Sequence, residues 1–265
     1  MTLRPIRIRL AARDDVELTD LDTGAIAKRT LARIRALPSR YTPFIREVRK
    51  DLSRELRAAS ARDVVAVGEA LAAHTPRWVG YEIITRHRAA LASLRIGHVE
   101  RLGLLDSWYA VDAFGLYIAG PAWRDGQIKD ADIRRWAKAK DFWWRRAALV
   151  ATVPLNAKSH GNGFQTDKTL AVASLLIDDR EDMVVKALSW ALRVLASRDP
   201  KAVRAFLDAH SDRLAARVKR ETNTKLVTGT KNKSKKTKKA CGLCMIAPNN
   251  HRTAPLSHSS SSQPS

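Results

Sequence analysis

From Thr23 to about Glu221 the chain reads as one amphipathic helical segment after another. No stretch carries the long alternation of β-branched residues that marks strands. Glycine and proline fall between the segments rather than within them. TGAIAKRTLARIRAL (23–37) stops at Pro38. TPFIREVRKDLSRELR (42–57) opens with Thr42 as candidate cap and Pro43 in the first turn, SARDVVAVGEALAAH (60–74) opens with Ser60, and TPRWVGYEIITRH (75–87) with Thr-Pro. Further helices are expected near 89–103, 106–119, 130–140, 141–153, 165–178, 181–197, 199–209 and 211–221. Short helices joined by short turns predict an all-α protein. Stacked helix pairs would make a HEAT-like solenoid with a period of about 40–47 residues. No clean repeat is visible, so a compact helical bundle is the rival architecture.

Three segments stand outside this pattern. Residues 1–20 read as an irregular arm, with IRIRL as a possible short strand lacking a partner. The polar stretch NAKSHGNGFQTDK (156–168) reads as a long loop. Residues 228–265, with the lysine run TGTKNKSKKTKKA and a serine-rich end, read as a disordered tail. The folded domain is therefore placed at 21–227.

Charge narrows the partners. Lys and Arg number 48 against 27 Asp and Glu, a formal net charge of +21. Glu221 is the last acidic residue. Residues 225–265 hold seven Lys and one Arg, so removing that +8 leaves residues 1–224 at +13. The folded part is itself basic, which points to a polyanion, with nucleic acid ahead of an anionic membrane surface. No apolar run is long enough for a signal peptide or a membrane span, so a cytoplasmic protein is expected, nucleoid-associated in a bacterium. The two cysteines, Cys241 and Cys244, form one CxxC in the tail. A single pair cannot complete a tetrahedral zinc site, so no metal and no cofactor are expected.

Within the helices, DSWYAVD (106–112) poses a problem. Trp108 and Asp112 lie four residues apart and share a helix face, a ring beside a negative charge. A carboxylate on a buried face is costly unless it is paired, capping or working. Two other segments combine tryptophan with charge: DFWWRRAALV (141–150) and MVVKALSWALR (183–193). Trp108 and Arg146 are 38 residues apart, and Arg146 and Trp190 are 44 apart, so one feature per repeat would line one surface. Taken singly, each tryptophan is most simply core, Asp112 a cap or an ion-pair partner, and one of the adjacent Arg145 and Arg146 a solvated charge.

Taken together, these stretches resemble the AlkD-like DNA alkylation repair family, helical-repeat DNA glycosylases. The resemblance runs through WxxxD (Trp108, Asp112), WWRRAALV (143–150) and DDREDMVVKALSWALRVLASRDPKAVRAFL (178–207), over most of residues 40–227. It implies a HEAT-like solenoid with a basic concave groove that binds double-stranded DNA as a monomer and excises N-alkylated purines. By resemblance, Asp112 is the catalytic carboxylate, Trp108 and Trp190 flank the deoxyribose of the lesion, and Arg146 holds the backbone nearby. Arg145, Trp144 and Lys186, on the same stretches, join Arg146 as candidate DNA contacts. The weaker candidates for phosphate contact are Lys158, His160 and Lys168 in the polar loop and Arg46, Arg49 and Lys50 in the second helix. For the three loop residues simple solvation is the leading reading, and for the three in the second helix it explains them equally well. The remaining rivals in function are a non-catalytic nucleic-acid-binding solenoid and a protein-interaction solenoid with an acidic partner.

Overall fold

A computed structural model of the chain describes residues 21–160 and 163–231, and among these every regular element is helical. The expectations for residues 1–20, for CGLC and for the lysines beyond Lys231 lie outside the described residues. The first four helices are α1 (Thr23–Arg35), α2 (Thr42–Glu55), α3 (Ala61–Ala72) and α4 (Trp78–Arg86). Capping explains several starts. Asp22 accepts from the Ala25 amide at 2.8 Å, and Ser60 accepts from Asp63 at 3.1 Å. Thr42 is the first helical residue of α2 rather than its cap; Tyr41 holds the cap position without a side-chain bond.

The segment expected as a single helix at 89–103 is two, α5 (Arg88–Ser93) and α6 (Ile96–Leu102). The break is made by tertiary structure. Leu94 turns to extended backbone and is fully buried, and the Arg95 amide is taken up by His98 Nδ1 at 3.2 Å. No glycine or proline announces it.

The helix α7 (Trp108–Phe114) also departs from expectation. It passes through a π turn, Gly115–Ala119, into α8 (Gly120–Arg124), so the expected 106–119 helix extends to Arg124. Gly115 and Gly120, five residues apart, face the same neighbour across this wider turn. A Cβ on Gly115 would lie 2.6 Å from Val150 Cγ1, and one on Gly120 would lie 2.2 Å from Pro154 Cγ and 2.7 Å from the Ala151 carbonyl oxygen. The backbones therefore approach more closely than any side chain allows. Gly120→Ala is expected to cost about 1–3 kcal/mol by overpacking. That lowers Tm by several degrees in a thermal denaturation scan, at roughly 2–4 °C per kcal/mol for a domain of this size.

The remaining helices are α9 (Asp130–Ala137), α10 (Phe142–Val150), α11 (Val153–Asn156), α12 (Thr166–Leu175), α13 (Asp182–Leu195), α14 (Pro200–Ala209) and α15 (Ala216–Thr228). α15 starts five residues later than the expected 211–221 helix and runs on to Gly229, whose φ of +71° closes it in the left-handed region. The 211–213 segment is a turn instead, held by Arg180 donating to the Arg213 carbonyl at 2.7 Å and by Arg213 paired with Asp178.

The chain has an all-α helical-repeat fold. α2, α4, α7, α10, α13 and α15 pack in succession, each against the next. Many polar ties between neighbouring layers span 32 to 42 residues, among them Ser189 to Glu221, Arg146 to Asp112 and to Met183, and Arg198 to Asn156. The interval between layers is therefore uneven along the chain.

Candidate nucleic-acid interface and carboxylate site

α7, α10, α13 and α15 each place charged or aromatic side chains around one cavity of 410 Å³. Trp108 opens α7 immediately after Ser107 and is 57 % exposed, its ring edge-on to Tyr109 at 6.2 Å. An exposed tryptophan at a helix start is not core, so the simplest reading of that residue does not hold. One turn on, Asp112 is tucked in, with its side chain 17 % exposed. Trp190, in the middle of α13, lines the same cavity while its body packs against the core.

Asp112 is paired. Arg146 reaches across from α10 and donates from Nε to Asp112 Oδ1 and from Nη2 to Oδ2, both at 3.0 Å. Its Nη1 donates to the Met183 carbonyl on α13. With 6 % of its side chain exposed, Arg146 has each guanidinium nitrogen committed within the protein. Its planar fork fixes the plane of the carboxylate, and these bonds use three of its five N–H groups. Burial pushes the Asp112 carboxyl above the usual carboxylate range, while the charge and hydrogen bonds of Arg146 pull it down.

The open cations of the cavity are others. Lys186 pairs with Asp182 at 2.6 Å, and Arg217 meets the same carboxylate at 2.8 Å, both from partly exposed positions. Arg193 lies deeper. Its Nε donates to Ser189 Oγ at 3.2 Å and stands 3.6 Å from Glu221, which in turn accepts from Ser189 at 2.8 Å. Burial weakens the charged form of Arg193, and Glu221 partly restores it. Lys231, just past α15, completes the lining. Five cations and two carboxylates, Asp112 and Glu221, thus surround the cavity. On the far side of Trp190 an adjoining cleft of 540 Å³ includes Lys158 and Lys225, so the positive lining continues beyond the cavity.

Of the site residues expected from sequence, Trp108, Asp112, Arg146, Lys186 and Trp190 meet here; Trp144 and Arg145 do not. Trp144 packs its ring against Trp136 at 5.0 Å and Phe114 at 6.0 Å and fills the space above Gly103. Arg145 turns the other way, to Asp179 at 2.7 Å and the carbonyls of Ala139 and Lys140. Lys168 sits over the Trp123 ring and near Asp130, away from the cavity. Arg217 and Glu221 belong to none of the motifs singled out in the sequence, and Arg193 closes the MVVKALSWALR stretch without being assigned a role there. Arg193 does carry a signal there: it lies three residues after Trp190 and seven after Lys186, on one face of α13. Arg217 and Glu221, four residues apart and inside both the expected 211–221 helix and α15, share a helix face.

Among the described residues, no helix is long and apolar enough to cross a membrane, and no cluster of three His, Cys, Asp or Glu is placed to hold a metal ion. Fold and site together define the class: an all-α helical-repeat protein with a carboxylate cavity flanked by tryptophan and lined with cations. A family model described as DNA alkylation repair enzyme matches residues 40–226, and the chain belongs to that family. A search of curated proteins finds no match to the chain.

Proposed function

We propose that the protein is a DNA N-glycosylase that removes cationic N3- or N7-alkylated purines from duplex DNA in base excision repair, with Asp112 as its catalytic carboxylate. Family membership supports the repair setting. The observation that carries the reaction class is the Asp112 carboxylate, clamped by Arg146, at the foot of an exposed Trp108 in a cation-lined cavity.

The chemistry asks for little more. As the C1′–N bond breaks, its electron pair moves onto the alkylated base, neutralises the positive charge there and lets the base leave without a proton. Positive charge grows on the sugar, where a nearby carboxylate stabilises it, orients the attacking water and takes the proton that the water loses as the new C1′–O bond forms. Arg146 occupies one site on each Asp112 oxygen, and an ionised carboxylate offers about four lone-pair sites, so acceptor capacity remains. The ring faces of Trp108 and Trp190 attract the same developing charge. Lys186, Arg193 and Arg217 supply phosphate contacts around the sugar.

The bidentate Asp112–Arg146 pair also suits a purely structural ion pair, which favours the second reading, a nucleic-acid-binding module without chemistry. Release of free base separates the two. Purified protein at saturating concentration is expected to free 7-methylguanine from a duplex carrying it, detected by mass spectrometry; tight, salt-sensitive binding with no base released would establish the second reading. Trp108→Ala should leave Tm almost unchanged, because the ring is mostly in solvent, while slowing release by roughly 2- to 30-fold, the equivalent of about 0.5–2 kcal/mol of lost cation–π attraction.

A further inference from the structure

A second cleft, larger than the one that holds Asp112, is lined by cations. It has a volume of 680 Å³, lies where the C-terminal ends of α2 and α4 come together, and shares no lining residue with the carboxylate cavity. Six of its lining residues are cations: Arg49, Lys50, Arg54, Arg57, Arg86 and Arg88. None is acidic.

Neutralisation of helix ends accounts for part of this, since cations in a last turn complement the helix dipole. Two or three cations would suffice for two helix ends. Internal pairing accounts for little more. The buried Glu82 is shared among three guanidinium groups, at 2.8 Å from Arg49, 3.5 Å from Arg46 and 3.7 Å from Arg86. Lys50 and Arg54 pair at the surface with Glu47 and Asp51. Arg57 and Arg88 have no carboxylate partner among the described residues.

A second observation comes from inside the cleft. Arg49 is 95 % buried, yet its Nε makes no well-aligned hydrogen bond despite its closeness to Glu82, and its link to Ser53 is long, at 3.4 Å. Burial works against its charged form, Glu82 restores part of it, and repulsion from Arg86 and Arg46 opposes it again. Six cations around one cleft with no carboxylate in its lining, two of them without a carboxylate partner, form an arrangement that an anion with several charges would complete.

We propose that this cleft is a second DNA-contacting site that grips consecutive backbone phosphates remote from Asp112, independently of any lesion. It rests on the reading that the protein acts on duplex DNA. A second grip of this kind strengthens sequence-independent binding and positions the duplex without contributing to bond cleavage.

The test is salt-dependent binding of full-length protein to an unmodified duplex, followed by fluorescence anisotropy. The cleft variant is Arg54→Gln/Arg57→Gln/Arg88→Gln, three exposed residues whose loss should leave Tm unchanged. A variant of equal net charge, Lys129→Gln/Arg134→Gln/Lys138→Gln at α9, is the control. The slope of log K against log salt is expected to fall in magnitude by about 2–3 in the cleft variant, at about 0.9 for each phosphate that the protein no longer neutralises, and to hold in the control. An equal fall in both variants, or none in the cleft variant, would overturn the proposal. Inorganic tripolyphosphate, titrated separately, discriminates the source of phosphate. If the cleft variant loses tripolyphosphate binding but keeps the duplex slope, the cleft serves a free polyphosphate and the DNA assignment fails. Base release at saturating protein is read in parallel. A cleft-dependent slope without release leaves this site standing and removes the glycosylase reading alone.

Discussion

Asp112→Asn is expected to slow base release by about two to three orders of magnitude, the loss typical when one preorganised group that stabilises transition-state charge is removed. The amide keeps the shape of the carboxylate and one acceptor oxygen, so Arg146 retains part of its fork. What disappears is the negative charge that faces the developing cation. Some stability goes with it, because Arg146 is left buried against a neutral partner. Release must therefore be compared below the unfolding transition of the variant, with anisotropy confirming that the duplex is bound. The wild-type enzyme should also show its acid limb above the usual carboxylate range, since burial raises the Asp112 carboxyl. A raised pKa means that the folded state holds the proton more tightly than the unfolded chain. The resulting stabilisation is fully present below the unfolded value and is lost as pH rises through the folded one. Activity runs the other way and appears as the carboxylate forms.

Removing Arg146 should have the largest effect on the fold. Arg146→Ala leaves Asp112 as a buried charge without its partner and strips the Met183 carbonyl of its donor, at a cost of about 3–5 kcal/mol. It also deletes the influence that pulls the Asp112 carboxyl down, so the acid limb of activity moves to higher pH. The double variant Asp112→Leu/Arg146→Met removes both charges together and should be far less destabilised than the two single losses combined. Denaturant unfolding of the wild type, Asp112→Leu, Arg146→Met and the double variant checks this. Additive losses would mean that the pair is not coupled.

Much of this architecture is legible in the sequence alone. The spacing of Trp108 and Asp112 puts an aromatic ring and a carboxylate on one face, and that face is where they stand. A helix start with a polar cap, such as Ser60, can be read because the capping bond is local. The features that escape such a reading are decided by contacts distant in sequence. The break at Leu94 follows from its burial, and the π turn after Phe114 from close passage over Val150 and Pro154. Arg217 and Glu221 share a face of the last helix by their spacing, but which cavity that face meets is set by its packing on α13. Arg146 stands at the cavity, as its spacing suggests, but its commitment to Asp112 depends on an alignment across 34 residues that no motif encodes.

The most direct test uses two duplexes that differ only in whether the leaving base carries a charge, one with 7-methylguanine and one with hypoxanthine, under single-turnover conditions at verified occupancy. Asp112 acting on a base that leaves without a proton predicts release of 7-methylguanine, little or none of hypoxanthine, and loss of release in Asp112→Asn. Comparable release of both bases, surviving the loss of Asp112, would contradict the account and turn attention to Glu221, the other carboxylate in the cavity.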